Sequence, residues 1–121
     1  MIPEATIHAH NDRTAVDALI QRLLLHPSLQ VQGVILYGSK ARHDDTPESD
    51  IDLLVLVEDD AWPVREQIRT IGAQLSLEYD VLFNLVVIGR ARWEWMERIR
   101  HPLYRSIAAE GMELTLEPMY G

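Results

Sequence analysis

The sequence predicts an α+β (α/β) fold in which a mixed β-sheet is flanked by helices, and three observations carry that expectation. Short apolar runs rich in β-branched residues alternate with stretches of helical periodicity, polar or Gly/Pro breaks separate them, and no segment repeats itself. With 121 residues the chain can build one hydrophobic core but not a catalytic domain plus a separate substrate-binding domain. Residues 1–121 are therefore expected to form a single domain.

The first element is an amphipathic helix over residues 14–25, where Ala15, Val16, Leu19, Ile20, Leu23 and Leu24 share one stripe. Asn11 or Asp12 is available as its N-cap, and His26-Pro27 stops it. Residues 31–37 are short, apolar and followed at once by Gly38, which reads as a strand ending in a turn. A polar stretch follows over residues 39–49, with Asp44, Asp45, Thr46 and Pro47. Residues 51–57 are then apolar enough for a strand buried on both faces. Helical spacing returns over residues 62–77, with Pro63 in the first turn and Val64, Ile68, Ile71 and Leu75 as the stripe. A third strand fits residues 80–88. Beyond Gly89 a helix runs through Trp93, Met96 and Ile99; His101-Pro102 breaks it, and a short helix ends near Gly111.

An apolar fraction of 47% with 25% charged residues suits a folded globular chain and argues against extensive disorder. No apolar run approaches the roughly 20 residues that span a bilayer, and Met1, Ile2, Pro3 and Glu4 do not begin a signal peptide, so a cytoplasmic location and no membrane partner are expected. The absence of cysteine excludes a disulfide framework, a thiolate metal site and a cysteine nucleophile; any metal would rest on carboxylates or imidazoles. His8, His10, His26, His43 and His101 have no ligand spacing and read as surface or loop residues. The net charge of −8 disfavours bulk nucleic acid as a partner, since that attraction comes from Lys and Arg neutralising phosphates. Self-association is left open.

The informative stretch is Gly38-Ser39-Lys40-Ala41-Arg42, followed after the polar loop by Ser49-Asp50-Ile51-Asp52-Leu53. Residues two apart on a strand share a face at about 6 to 7 Å, so Asp50 and Asp52 project together while Ile51 turns into the core. Two carboxylates side by side at the mouth of an apolar strand repel and are poorly solvated unless a cation neutralises them. Mg²⁺ suits these ligands, being commonly held by one or two carboxylates plus substrate phosphates. Gly38 and Ser39 stand where a strand gives way to a helix, and backbone N–H groups at such a turn can hold phosphate oxygens. Gly38 permits close approach, the Ser39 hydroxyl adds a donor, and Lys40 or Arg42 can bring positive charge to a triphosphate. An isolated Asp-x-Asp is usually a solvated strand end and an isolated Gly-Ser usually a turn. The ordered combination is far more specific.

At these residues the sequence resembles the nucleotidyltransferase superfamily that includes DNA polymerase beta, the aminoglycoside nucleotidyltransferases and the minimal nucleotidyltransferases of prokaryotes, and it is most similar to the last group. The resemblance covers residues 31–88, with a similar C-terminal tail from Pro102 to Gly111. It implies a nucleotidyltransferase fold, NTP phosphates on Gly38 and Ser39, and two divalent ions, expected to be Mg²⁺, on Asp50 and Asp52. It also implies a third carboxylate on a neighbouring strand, for which Asp80 is the match and Glu78 the substitute. One Mg²⁺ would then join Asp50, Asp52 and the triphosphate, and a second would be shared with Asp80 near the acceptor hydroxyl. The expected reaction is transfer of a nucleoside monophosphate, AMP from ATP, to a hydroxyl of a protein or small molecule. The minimal group implies a helical HEPN-type toxin as partner, with this chain as antitoxin. The alternative is a catalytically weak or inactive nucleotide-binding module that acts through protein–protein contact. One departure is visible: a glycine commonly follows the motif's arginine, and His43 stands there.

Overall fold

A computed structural model describes residues 2–3, 6–7, 9–46 and 48–117; His8 and Pro47 lie outside them. Along the chain come α1 (His10–Leu24), a 3-10 turn (Pro27–Leu29), β1 (Val31–Tyr37), α2 (Gly38–Arg42), β2 (Ile51–Val57), α3 (Trp62–Tyr79), β3 (Phe83–Gly89), α4 (Arg90–Arg98), α5 (Pro102–Glu110) and β4 (Met112–Leu114). The four strands form one sheet in the order β3-β2-β1-β4. β1 is antiparallel to both β2 and β4, whereas β2 and β3 run parallel. The parallel pair needs a long crossover, and α3 supplies it. This is the mixed sheet flanked by helices that the alternating pattern predicts.

Alternation along β2 sorts the helices to the two faces. Ile51, Leu53, Val55 and Val57 turn to the layer of α1 and α3, where they meet Val16, Leu19, Leu23, Ile68, Ile71 and Leu75. Leu54 and Leu56 turn the other way, to Met96 and Trp93 of α4 and Ile107 of α5. Burial on both faces explains why β2 reads as a continuous apolar run. Asp52 belongs to the alternation of Leu54 and Leu56, so it faces the α4/α5 side, at the end of the strand that this layer leaves half open.

Several element boundaries differ from the sequence pattern. α1 starts at His10, so Asn11 and Asp12 lie inside it rather than capping it. Asn11 Nδ2 instead donates to Tyr79 O at 2.8 Å, and Asp12 is engaged by a lysine. β3 opens at Phe83 instead of residue 80, because α3 runs on to Tyr79 and Asp80 ends it in the left-handed conformation, at φ 54°. Asp and Asn visit that region more readily than other non-glycine residues, so Asp80 serves as a helix stop. The β4 strand was not foreseen; three residues pairing at a sheet edge carry no legible period. Trp93 is half-buried and packs on Tyr104 with ring centroids 5.1 Å apart, whereas Trp95 is exposed. The two thus divide between core and surface, as their helical spacing suggests.

Candidate functional site

The site forms where β1 ends, β2 begins and α2 turns away. Register places Tyr37 directly opposite Asp52, so the turn after Tyr37 must pass beside the Asp52 carboxylate. Gly38 makes that passage with φ +74°, and a Cβ on it would lie 2.3 Å from Asp52 Oδ2. Only glycine combines the left-handed backbone with the missing side chain. Ser39 follows, half-buried, in the first turn of α2. His43, where a glycine is expected, closes α2 at φ 62° and accepts the left-handed conformation itself. The departure therefore keeps the loop geometry, at a cost of about 1 kcal/mol in backbone preference.

Asp50 directly precedes β2, and the strand's alternation carried back one residue sets it on the side of Asp52. Just upstream, the Ser49 hydroxyl accepts from Thr46 N–H at 2.9 Å and fixes the approach to the pair. Several acidic side chains in and near the motif are neutralised by a base. Asp12 and Asp45 lie 2.7 and 2.9 Å from Lys40 Nζ, and Asp44 and Glu110 each lie 3.0 Å from Arg42. Among the described residues, Asp50 and Asp52 have no such partner. Tyr37 feels the consequence: burial first, and then the Asp52 charge, push its phenol above the ordinary tyrosine value.

The two basic residues of the motif have different positions. Lys40 is buried, 3% exposed, and its ammonium is spent on Asp12, Asp45 and the Thr46 carbonyl, where it ties α1 to the loop after α2. Burial alone would lower its pKa, but hydrogen bonds and charge from Asp12 and Asp45 outweigh it and hold the amine charged above the ordinary lysine value. Lys40 thus serves as a structural cation whose ammonium is engaged within the fold. Arg42 is exposed beside Gly38. Its Nε donates to Asp44 and its Nη1 to both oxygens of Glu110, at 3.1 and 3.0 Å. These bonds raise the guanidinium pKa further.

Asp80 is not the residue opposite Asp52. The parallel register sets Asn84, four residues later, opposite Asp52, and Asn84 Nδ2 donates to Asp52 Oδ1 at 2.8 Å. Asp80 opens instead onto a cleft of about 550 Å³ shared with Asn11, Asp12, Glu48 and Ser49. Glu78 is exposed on α3. Among the described residues, no three His, Asp or Glu side chains gather as a metal cage. Two participants went unrecognised in the sequence. Asn84 follows from strand register, and Glu110 reaches back 72 residues to accept from the Gly38 N–H at 3.3 Å. Neither has a local signal.

The donor set fits one Mg²⁺ bound through two carboxylates that lack another cation, with phosphate oxygens and water completing the shell. A turn of backbone N–H groups and an exposed arginine stand beside those carboxylates, the kind of donors that can take phosphate oxygens. The sequence model of the family described as "Polymerase beta, Nucleotidyltransferase" matches residues 20–101, and the chain belongs to that family. It is a nucleotidyltransferase by that membership. Two proteins of Methanocaldococcus jannaschii, each named "Putative protein adenylyltransferase", are similar. One is 28% identical over 104 residues, covering 86% of this chain and 98% of its own length. The other is 40% identical over 55 residues, covering 45% of this chain and 56% of its own length. Among solved structures, a chain from a toxin–antitoxin crystal with AMP-PNP superposes with a TM-score of 0.52 at 20% identity, over 80% of this chain and 72% of that one. A chain from a mutant of the toxin–antitoxin MntA-HpeT gives 0.55 at 18% identity, over 88% of this chain and 73% of that one. At such identities these superpositions establish the fold. Among the described residues, no helix is long and apolar enough to cross a membrane.

Proposed function

We propose that this protein transfers AMP from ATP to a hydroxyl on a partner protein, in the cytoplasm, with Mg²⁺ held by Asp50 and Asp52. The observation that carries the reading is the contrast in pairing: Asp12, Asp44, Asp45 and Glu110 each have a basic partner, and among the described residues the two carboxylates beside the Gly38 turn have none. In this reading Gly38 and Ser39 present backbone N–H groups, and Ser39 its hydroxyl, to the phosphate chain, while Arg42 adds positive charge by exchanging a carboxylate for a phosphate oxygen. Bound Mg²⁺ supplies charge stabilisation for the triphosphate. The acceptor oxygen bonds to the α-phosphorus, the bond from that phosphorus to pyrophosphate breaks, and the hydroxyl proton passes to solvent. A protein acceptor is supported by the names of the archaeal relatives, and a toxin partner by the toxin–antitoxin structures that share the fold. A helical HEPN-type toxin, with this chain as its antitoxin, is the partner this reading assigns.

The test is label transfer from α-³²P-ATP to a co-expressed HEPN-type protein and to a panel of small hydroxyl acceptors, with and without Mg²⁺. Mg²⁺-dependent labelling of the protein is expected; labelling of small molecules alone would reassign the acceptor. One observation favours a second reading, a nucleotide-binding module of weak activity acting by protein contact. The place opposite Asp52 is held by the neutral Asn84. Mg²⁺-dependent ATP binding with no transfer to any acceptor would select it.

A further inference from the structure

The two strands that hold the site determine how many cations it can take. β2 and β3 are parallel and paired residue for residue, so the position beside Asp52 on the neighbouring strand is fixed: it is Asn84. The Asn84 amide donates to Asp52 Oδ1 at 2.8 Å. A carboxylate only accepts hydrogen bonds, so the amide must turn its NH₂ group, and not its oxygen, toward Asp52. Asp52 Oδ2 is pressed toward Gly38, where an added Cβ would lie 2.3 Å away. The carboxylate thus has one oxygen engaged by a donor on the β3 side and the other facing a turn that has no room for a side chain.

A two-ion centre places its cations roughly 3.5 to 4 Å apart and needs carboxylate oxygens that bridge them. Here the β3 side meets an incoming cation with the positive end of an N–H dipole, and Oδ1 has a lone pair committed to it. Among the described residues, no third His, Asp or Glu gathers with these two carboxylates as a metal cage. Asp80 lies four residues before Asn84, at the end of α3, and Glu110 is bound to Arg42 and to the Gly38 N–H. Asp44 and Asp45 are paired with Arg42 and Lys40.

We propose that Asn84 makes this a single-ion centre, orienting Asp52 for one divalent cation and closing the β3 side to a second. The inference rests on the Mg²⁺–nucleotide reading above and replaces the two-ion expectation drawn from the family resemblance. It also assigns Asn84 a positioning role, through Asp52, that its exposed place on an edge strand would not suggest.

Counting ions tests it. Mn²⁺ replaces Mg²⁺, and equilibrium dialysis at saturating non-hydrolysable ATP analogue measures ions per chain, with electron paramagnetic resonance reporting whether ions are spin-coupled. The wild type should hold one uncoupled Mn²⁺. Asn84→Asp, of nearly the same shape, should hold two and show the signal of a coupled pair; Asn84→Ala, with folding checked by circular dichroism, should remain at one. Two coupled ions on the wild type would overturn the inference while leaving the nucleotide reading intact. One ion on both the wild type and Asn84→Asp would remove Asn84 as the limiting residue. No ion on the wild type would defeat the Mg²⁺–nucleotide reading and this inference with it.

Discussion

Gly38 and Asp52 touch across the mouth of β1 and β2: a methyl group on Gly38 would lie 2.3 Å from Asp52 Oδ2, with the backbone at φ +74°. Gly38→Ala must therefore meet two demands at once, a left-handed alanine and a displaced carboxylate. We expect a loss of about 1 to 3 kcal/mol in stability, measured by urea unfolding. Mg²⁺-dependent ATP affinity should fall more than tenfold, because Asp52 has to swing from its place. Unchanged affinity would show that the carboxylate has room the geometry denies.

This pair was legible in the sequence because both partners sit in local patterns. A glycine ending an apolar strand marks the turn, and an Asp-x-Asp opening another marks two carboxylates on one face. The residues that were not legible depend on distant parts of the chain. Asn84 matters only because β3 pairs in parallel with β2 at one register, and register leaves no mark in a short apolar strand. Lys40 looks like a phosphate ligand until α1 brings Asp12 to it. Asp80 was misread because an acid before an apolar run resembles a strand opening, whereas here it is the left-handed stop of a helix. His43 shows the reverse case, in which an unexpected residue adopts the backbone expected of glycine.

Lys40 holds two carboxylates from a place 3% exposed, so its removal leaves buried negative charge. Lys40→Met should cost about 3 to 5 kcal/mol, read by urea unfolding, and Lys40→Met/Asp12→Asn should recover part of that loss. The pH dependence has a defined sign. The Lys40 pKa is raised, so its contribution is complete below the ordinary lysine value and disappears as pH rises through the higher folded value. The Asp45 pKa is lowered, chiefly by the hydrogen bond from Lys40, so its contribution is present above the ordinary carboxylate value and disappears as pH falls through the lower folded one. The difference in stability between wild type and Lys40→Met should be flat through neutral pH and shrink at both extremes. A difference that grows toward acid pH would contradict this assignment.

Glu110 occupies the donors that the phosphate chain would use, accepting from the Gly38 N–H at 3.3 Å and from Arg42 at 3.0 Å. Binding ATP there requires this carboxylate to yield and brings two negative groups together. Glu110→Gln keeps the shape, frees Arg42 and removes the repulsion. With an exposed pair worth up to about 1 kcal/mol, ATP affinity should rise by roughly fivefold at low salt and by less at high salt. Calorimetry at two ionic strengths reads the change. A fall in affinity would mean that Glu110 holds the turn in its binding shape.

The family resemblance has Asp52 and Asp80 share the metal, whereas strand register sets Asn84, not Asp80, opposite Asp52. Asp52→Asn removes one of the two carboxylates that have no cationic partner, so Mg²⁺-dependent ATP affinity should fall at least tenfold, about 1.4 kcal/mol, and label transfer should fall with it. Asp80→Asn changes a helix stop into a residue that tolerates the same left-handed backbone, here at φ 54°. Its stability, ATP affinity and transfer should stay within about twofold of wild type, a change of about 0.4 kcal/mol or less. Measuring both substitutions in one calorimetric and labelling series separates the alternatives. If Asp80→Asn suppresses transfer while ATP binding persists, Asp80 reaches the reacting groups in the loaded enzyme through a rearrangement of the α3 end.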